Sequence, residues 1–281
     1  MVTTTKPKPK PDEFELDAIL GKYATKPDPL ATPELYLLYS QAGSGKSWLA
    51  SSAVDVSPDT KVLYIDVEGS SPGVITNHKN WKNIDVIRVD QMEASDEERE
   101  KGMTNGIKRF KFLRSLLSEK SLFSGKDTKY DYIVIDTFDV AQDYAIEYFQ
   151  STAPVARNGE VDGFKVWGNV KDWTLTVAKG LKSMKPVGIL VQHDREEKEA
   201  SGAIIKKLAL SGSAKDILPG IPDVVLYLER KLIDGYETTI GYFASQDGKV
   251  TKNRFNFPAK VKNPSIPKLI EFIKNNSKEG K

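Results

Sequence analysis

A loop of small residues between an apolar strand and a helical run constrains the fold of this chain more than any other feature. The apolar residues 35–39 lead into the stretch Ser40-Gln41-Ala42-Gly43-Ser44-Gly45-Lys46-Ser47, and a helical run begins at Lys46. The stretch matches the phosphate-binding pattern G-x-x-x-x-G-K-[ST] at every position except the first, where Ser40 replaces glycine. Because such a loop needs a strand before it and a helix after it, the sequence predicts a phosphate site in an α/β fold.

The residue types of this loop suit a nucleoside triphosphate. Gly43 and Gly45 let backbone N–H groups curl around phosphate oxygens, and the N-terminus of the following helix adds positive potential. The Lys46 ammonium would pair with the terminal phosphates and the Ser47 hydroxyl would bind Mg²⁺, so we predict ATP and Mg²⁺ as cofactors. A Gly/Ser turn with an incidental lysine would not account for the flanking strand and helix. The predicted nucleotide-binding residues are Gln41, Ala42, Gly43, Ser44, Gly45, Lys46, Ser47 and Trp48.

Strand-like and helix-like segments alternate along the rest of the chain. This alternation is typical of an α/β fold in which helices flank a mostly parallel central sheet, and we expect the C-terminal strands to be antiparallel. The strand candidates are residues 35–39, 62–67, 84–89, 132–136, 187–192, 224–228 and 238–243. The helix candidates are residues 46–54, 97–119, 140–150, 166–184 and 266–275. The polar residues 194–213 are predicted to form an exposed hairpin or a mobile loop.

Composition excludes several other kinds of site. The chain has no cysteine, so it holds no disulfide, no thiolate zinc site and no cysteine nucleophile. Its two histidines, His78 and His193, are too few for a multi-histidine metal site. No apolar run approaches the roughly 18 residues that span a membrane. We therefore expect a protein without membrane contacts that works in the cytoplasm.

The net charge of +2 conceals an uneven distribution of charge. Lysines alternate with prolines in residues 6–11, and residues 249–281 carry nine basic side chains against Glu271 and Glu279. Basic ends on an acidic body would suit a polyanionic partner; solubilising terminal lysines are an equally good account of the charge alone. The pattern divides the chain into three parts. These are a flexible basic arm with a short linker helix at 1–33, a core at 34–258, and a basic C-terminal helix or tail at 259–281.

A carboxylate at the end of a later strand is the second element of the predicted phosphate site. Residues 132–136 read Tyr-Ile-Val-Ile-Asp, an apolar strand that ends in Asp136. Ligands of open α/β sheets bind at the carboxyl ends of the strands, which is where this side chain would lie. Alone, Asp136 would be explained as a turn or cap residue. Together with the phosphate-binding loop it is better explained as the carboxylate that orients hydrated Mg²⁺, so Ser47 and Asp136 are the predicted metal-binding residues.

The general base for hydrolysis must lie outside this strand, because Thr137 follows Asp136 where many P-loop ATPases carry a glutamate. The segment Tyr64-Ile65-Asp66-Val67-Glu68-Gly69 resembles the Y-I-D-x-E-G stretch of RecA/RadA-type recombinases, whose glutamate polarises the attacking water. This resemblance implies that Glu68 is the general base, and that Asp66 either has a structural role or supports the residues that contact the nucleotide. An exposed loop acid is the alternative.

The end of the strand at 187–192 resembles the same proteins. It reads Gln192-His193, and RecA-like and hexameric-helicase cores place a polar Gln or His there. By this resemblance Gln192 or His193 senses the γ-phosphate and couples it to two DNA-binding loops, one after Asp136 and one at residues 194–213. The candidate DNA-binding residues are Arg157 and Lys165 in the first loop and Arg195, Lys198, Lys206 and Lys207 in the second. Phe164 and Trp167 would stack on bases, unless they belong to the core.

A pair of cations near the C-terminus is a third point of resemblance to RecA-like proteins. Residues 250–255 read Val-Thr-Lys-Asn-Arg-Phe, similar to the K-x-R element of RecA-like ring helicases, in which both cations reach into the nucleotide site of the neighbouring subunit. Positions i and i+2 of a strand face the same side, so Lys252 and Arg254 can point at one phosphate. The resemblance implies that both act in trans in a homo-oligomer. Two solvated cations at a strand edge are the alternative.

Together these motifs cover most of residues 35–257 and resemble the RecA-like P-loop ATPases of bacteriophages, the Sak-type single-strand annealing proteins. The resemblance implies an ATP-dependent ring or filament that binds single-stranded DNA and promotes annealing or homologous recombination. The catalytic residues would be Lys46, Glu68, Gln192, Lys252 and Arg254. It also implies a phage gene product in the host cytoplasm, with a phage or host single-stranded-DNA-binding protein as a further partner.

Three other functions are compatible with the sequence. A ring helicase or translocase would use the same trans cations, but no helicase amino-terminal or primase domain is recognisable. A nucleotide kinase would need a closing lid with arginines, and no Arg-rich lid is evident. A nucleotide-dependent scaffold with negligible turnover would keep the phosphate-binding loop without hydrolysis.

Overall fold

One twisted sheet forms the centre of the computed structural model, which describes residues 28, 31–118, 129–157, 159–199 and 202–279. The strands of the described residues are β1 Leu35–Ser40, β2 Val62–Asp66, β3 Ile84–Arg88, β4 Tyr132–Asp136, β5 Val187–Lys198, β6 Ile204–Leu208, β7 Val224–Ile233, β8 Tyr236–Tyr242, β9 Lys252–Asn253 and β10 Lys260–Lys262. The order β3-β2-β4-β5-β1-β7 is parallel throughout, and β5 lies between β1 and β4.

The antiparallel strands lie toward the C-terminus. β7 turns at Asp234-Gly235 into β8, which pairs with β10 at the edge of the sheet, while the short β9 pairs with the start of β7. The predicted fold class, a mostly parallel central sheet flanked by helices with antiparallel C-terminal strands, is confirmed.

Helices cover both faces of the parallel strands. Their bounds are α1 Lys46–Ser51, α2 Pro72–Ile75, α3 Asp96–Glu100, α4 Asn105–Leu116, α5 Phe138–Thr152, α6 Gly163–Ser183, α7 Ala214–Ile217 and α8 Ile266–Glu279. One apolar cluster joins the sheet to α4, α5 and α6, and a second joins it to α1, α2 and α8. Every residue of β1, β2 and β4 is buried, as expected for parallel strands covered on both faces.

Strand register brings the predicted site residues to one edge of the sheet. Ser40 at the end of β1 lies opposite His193 in β5, and Asp66 at the end of β2 lies opposite Asp136 at the end of β4. Since these strands are parallel, their carboxyl ends form one row, from which the phosphate-binding loop and the turn carrying Glu68 both emerge.

The prediction of one continuous helix over 97–119 is wrong, because two helices, α3 and α4, occupy this region. Gly102 has a φ of 82°, a left-handed conformation that glycine adopts without strain and that stops helix propagation. The Thr104 hydroxyl then accepts the Ile107 N–H and caps the start of α4. Residue 119 lies outside the described residues.

The polar region at 194–213 contains a hairpin, one of the two forms predicted for it. β5 continues past the sheet to Lys198 and pairs antiparallel with β6, while residues 200 and 201 at its tip lie outside the described residues.

The C-terminal segment packs on the rest of the sheet. The Ile266 N–H donates to the Ser52 hydroxyl at 2.9 Å, and α8 contacts the short 3₁₀ helix Ser52–Val56 that follows α1. Residues Thr32–Lys281 form one compact unit. The arm and linker helix predicted at 1–33 lie almost entirely outside the described residues. Among the helices that the structure describes, none has the length and apolar character needed to cross a membrane.

Candidate nucleotide-binding site

The phosphate-binding loop has the backbone conformation that the sequence predicts. Gly43 and Gly45 have φ values of 75° and 96°, which are unfavourable for residues with a side chain. Ser40, which replaces the first glycine of the pattern, is the last residue of β1 and has no positive φ. Its buried hydroxyl is hydrogen-bonded to that of Ser44 across the loop. The missing glycine is therefore tolerated because this position stays in extended backbone.

The Lys46 side chain lies inside the loop, with 6% of the residue exposed. Its ammonium donates to the carbonyl oxygens of Ser40 and Gln41, both at 2.9 Å. Burial lowers the pKa of Lys46, and the nearby Asp136, Asp139, Asp194 and Glu68 carboxylates oppose this effect. The ammonium is thus held where an incoming phosphate could replace water and the carbonyl contacts.

Asp136 and Ser47 fit the predicted Mg²⁺ site. Burial raises the pKa of Asp136, while hydrogen bonds from Ser47 and Tyr64 lower it. The Tyr64 hydroxyl donates to Oδ2 of Asp136, whereas the buried Oδ1 has no hydrogen-bond partner in the described part of the chain. A buried, unsatisfied carboxylate oxygen beside a hydroxyl suits a hard cation that takes its other oxygens from phosphate and water. The described residues contain no group of three or more acids and histidines that could hold a metal by itself.

Glu68 lies on the turn that follows β2. The Asp66 carboxylate shapes this turn by accepting the N–H groups of Gly69 at 2.7 Å and Ser71 at 3.3 Å. Glu68 is about one-third exposed and lines a cavity of about 550 Å³ together with Lys46, Asp136 and other loop residues. Burial raises the pKa of Glu68, and His193 opposes it. The structure therefore brings the predicted base, the loop lysine and the metal carboxylate into one cavity.

Gln192 and His193, the two candidate sensors, have different positions. Gln192 is fully buried, does not line the phosphate cavity, and its amide atoms have no hydrogen-bond partner among the described residues. His193 does line the cavity, with Nδ1 2.8 Å from the Asp139 carboxylate and 3.8 Å from that of Glu68. Asp139 was not evident from the sequence as a site residue, because only the pairing of β4 with β5 brings it to His193.

A second cavity of about 440 Å³ continues from the phosphate cavity, and Gly45, Trp48 and Arg230 line both. Trp48, predicted as a nucleotide-binding residue, is 41% exposed there. Thr239 forms another wall and is hydrogen-bonded to the loop through the Ser44 carbonyl at 3.5 Å. No motif in the sequence marks Arg230 or Thr239, because the hairpin of β7 and β8 brings them to the loop.

Lys252 and Arg254 lie away from the nucleotide site of their own chain. β9 pairs with Val224 and Val225 at the start of β7, which is the amino end of the parallel strands. The Arg254 guanidinium is 2.8 Å from the Asp223 carboxylate, and the Lys252 ammonium donates to the Gly220 carbonyl at 2.5 Å. Within one chain these two cations cannot reach the phosphate-binding loop at the carboxyl end.

The cations predicted for the second DNA-binding loop are mostly paired with acids. Arg195 and Lys207 contact Glu197 at 2.6 and 3.2 Å, and Lys206 contacts Glu196. Lys198, at the end of β5, is exposed and has no ion pair among the described residues. The hairpin therefore presents less free positive charge than its lysines and arginine suggest.

The predicted first DNA-binding loop presents an aromatic side chain to solvent. Phe164 is 95% exposed at the start of α6, so it does not belong to the core. Lys165 follows it, and Arg157 lies in the preceding turn that Val155 and Val161 close by a β-bridge. Neither cation has an ion pair among the described residues. Trp167 is partly exposed and packs near Gly212.

A family model and solved structures both match this chain. A family model described as "AAA domain" matches residues 32–255, which include the phosphate-binding loop, Glu68, Asp136 and His193. Among solved structures, the chain is similar to the flagellar accessory protein FlaH from Methanocaldococcus jannaschii, with 12% sequence identity and a TM-score of 0.44. That similarity covers 83% of this chain and 87% of the FlaH chain. No curated protein matches the chain.

Proposed function

This chain belongs to the AAA domain family, and we propose that it is an Mg²⁺-dependent ATPase that works as an oligomer on single-stranded DNA in strand annealing or homologous recombination. Family membership supports a nucleotide-binding P-loop core. The observation that carries the ATPase part is the common cavity lined by Lys46, Ser47, Glu68, Asp136 and His193.

The proposed hydrolysis uses these residues in distinct roles. Lys46 and the backbone N–H groups at the start of α1 hold the phosphates and stabilise the charge that develops on them. Glu68 takes a proton from the attacking water. His193, which lies on β5, contacts the terminal phosphate. Ser47 and Asp136 would hold Mg²⁺, which when bound neutralises phosphate charge.

Replacing Lys46 with alanine is expected to weaken ATP binding by about 100-fold or more, because several charge-assisted hydrogen bonds to phosphate are lost. Lys249→Ala is a matched control: Lys249 is also a buried lysine, at 8% exposure, but its ammonium lies over the Tyr227 and Tyr242 rings away from the phosphate cavity. Isothermal titration with ATP and Mg²⁺ measures the affinity, and thermal unfolding verifies that both variants fold. Unchanged ATP affinity in Lys46→Ala would refute the phosphate-site assignment.

The exposed Phe164 supports the single-stranded DNA part of the proposal. A large apolar side chain that is almost fully solvated has no packing role among the residues that the structure describes, and bases have flat apolar faces that stack on aromatic rings. Arg157 and Lys165 lie near it in sequence and have no ion pair within the described residues, so they are free to contact phosphates. These features favour the first loop, rather than the acid-paired hairpin, as the main DNA contact.

A single-stranded DNA binding assay therefore tests the proposed function. Wild-type protein with ATP and Mg²⁺ is expected to bind a fluorescent oligonucleotide, more weakly as salt rises, and to hydrolyse ATP faster when DNA is present. Phe164→Ala should weaken this binding by about 5- to 100-fold, as expected for the loss of one stacking platform, and leave the DNA-independent ATPase rate unchanged.

Tyr236→Ala is the matched control for this experiment, because Tyr236 is 76% exposed on the tight turn between β7 and β8. It should bind DNA as the wild type does. Absence of oligonucleotide binding by the wild type at low salt would refute the DNA part of the proposal. Equal losses in both variants would mean that Phe164 has no specific role.

Oligomerisation is the remaining part of the proposal. Arg254 and Lys252 lie at the amino end of the sheet, and the Arg254 side chain is about half exposed. A cation in this position can complete only the nucleotide site of another subunit, which supports a ring or filament with trans contacts.

A further inference from the structure

His193 donates two hydrogen bonds to one carboxylate, that of Asp139, which has no role in the function proposed above. Asp139 Oδ1 accepts the His193 backbone N–H at 3.1 Å, and Oδ2 lies 2.8 Å from the ring nitrogen Nδ1. Asp139 lies in the first turn of α5 and is buried, with 8% of the residue exposed. The helix that follows Asp136 is therefore tied to the end of β5 through one side chain.

This contact fixes which way the imidazole faces. A carboxylate only accepts hydrogen bonds, so the Nδ1 that faces Asp139 carries hydrogen in both the neutral and the protonated ring. The other ring nitrogen, Nε2, has no hydrogen bond to the described residues, and His193 lines the phosphate cavity. One ring nitrogen is therefore hydrogen-bonded to the protein, and the other is available to a ligand.

We propose that Asp139 is a positioning residue that holds His193 with Nδ1–H turned toward the protein, so that Nε2 is presented to the terminal phosphate of a bound nucleoside triphosphate. The inference rests on the proposed ATPase function and deepens it. In this proposal the buried Asp139 carboxylate orients His193, and His193 distinguishes a triphosphate from a diphosphate.

The charges around His193 agree with this role. A phosphate oxygen accepts hydrogen bonds, so contact with Nε2 requires the protonated ring. The hydrogen bond to Asp139 raises the pKa of His193, and the Glu68 carboxylate acts in the same direction. Burial and the Lys46 ammonium lower the pKa and so oppose protonation. Asp139 therefore favours the ring state that can donate to phosphate.

Nuclear magnetic resonance of the histidine rings tests the orientation directly, because the chain has only two histidines. In the wild type we expect Nδ1 of His193 to carry hydrogen, and its Nε2 resonance to move with a non-hydrolysable ATP analogue and Mg²⁺ but not with ADP and Mg²⁺. In Asp139→Asn the pKa of His193 should fall and the difference between the two nucleotides should disappear. His78, whose Nδ1 is 3.0 Å from Asp55 and whose ring packs against Trp48, is the reference for the substitution and should give the same spectrum in the wild type and in Asp139→Asn.

Asp143→Asn is the matched control, since Asp143 lies one turn further along α5 and makes no hydrogen bond or ion pair with the residues that the structure describes. It should behave as the wild type. A His193 spectrum in Asp139→Asn that matches the wild type would overturn the proposal, as would an equal response to both nucleotides. If no nucleotide binds at all, the proposed function fails; if nucleotide binds and His193 does not respond, only this inference fails.

Kinetics separate positioning from a general structural effect. Asp139→Asn is expected to lower kcat by about 10- to 100-fold, as the loss of an orienting partner does elsewhere. Its affinity for ADP, which has no terminal phosphate for His193 to contact, should change by no more than about twofold. In a His193→Ala background the same change should have no further effect on kcat, because the group that Asp139 orients is gone. An equal loss of rate in both backgrounds would overturn the proposal.

Discussion

Replacing Glu68 with glutamine is expected to remove ATP hydrolysis while ATP binding is retained. Glutamine has nearly the same shape and remains polar, but its amide cannot take a proton from water. General-base catalysis contributes about 10²–10⁴-fold to rate, so kcat should fall by at least about 100-fold. Glu68 lies on the turn after β2, outside the loop that binds the nucleotide, so the affinity for a non-hydrolysable analogue should stay near that of the wild type.

The control for this variant is Glu97→Gln, which removes the same charge at an exposed position of α3 where Glu97 pairs with Lys101. Phosphate release and analogue titration on the three proteins give rate and affinity separately. Wild-type turnover by Glu68→Gln would remove Glu68 from the mechanism. A parallel loss of affinity would instead mean that Glu68 acts in nucleotide binding.

The pH dependence of the rate provides an independent check on the same residue. Burial raises the pKa of Glu68, Asp139 and Asp136 add to this effect, and His193 and Lys46 oppose it. A general base works only when it is deprotonated. Because the pKa lies above the ordinary value of 4.5, hydrolysis should be lost as pH falls through a range that starts above that value. The residual rate of Glu68→Gln should lack this acid limb.

The phosphate-binding loop and the strands around it could be predicted from the sequence because their signals are local. Two glycines with positive φ, a lysine and a serine lie within five consecutive positions, and buried parallel strands are continuous apolar runs. The same locality explains why Asp66, Glu68 and Asp136 were assigned to strand ends. Parallel register then brings those strand ends to one edge of the sheet without further information.

The partners of these residues could not be predicted, because they come from distant parts of the chain. Asp139 reaches His193 across 54 positions, and Arg230 lines a cavity together with Gly45 only because of the hairpin of β7 and β8. For the same reason, the sequence could not decide whether Gln192 or His193 is the sensor. Adjacent residues of a strand face opposite sides, and only the packed sheet shows that His193 is the one lining the cavity.

Charge patterns were the least informative part of the sequence about function, because the fold decides which charged side chains neutralise each other. Residues 194–213 contain several cations, and their alternation with acids gave mixed evidence about DNA. In the folded hairpin Glu197 accepts contacts from Arg195, Lys207 and Lys215, so most of this charge is neutralised internally. Phe164 shows the converse, because an aromatic residue at helical spacing looks like core in the sequence and is solvated in the structure.

Replacing Arg254 with alanine is expected to give the largest loss of rate, if the oligomer works as proposed. An arginine supplied in trans to a phosphoryl-transfer site is worth about 10³–10⁵-fold, because it stabilises charge on the transferring group. Nucleotide binding should persist, since Arg254 lies at the amino end of the sheet, far from the loop of its own chain. The fold should also persist, because Asp223 keeps its contact with Lys182 at 2.5 Å when Arg254 is removed.

Mixing experiments distinguish a trans contact from a defect within the subunit. A Lys46→Ala subunit has an empty phosphate site but an intact Arg254, and an Arg254→Ala subunit has the reverse. Where the two meet, one complete site forms, so a mixture should hydrolyse ATP faster than either variant alone. Asp223→Asn, which removes the ion pairs of Asp223 with both Arg254 and Lys182 and keeps the arginine, is the control and should retain activity. An Arg254→Ala defect that mixing does not relieve would mean that the arginine acts within its own chain, through the contact with Asp223 that anchors the start of β7.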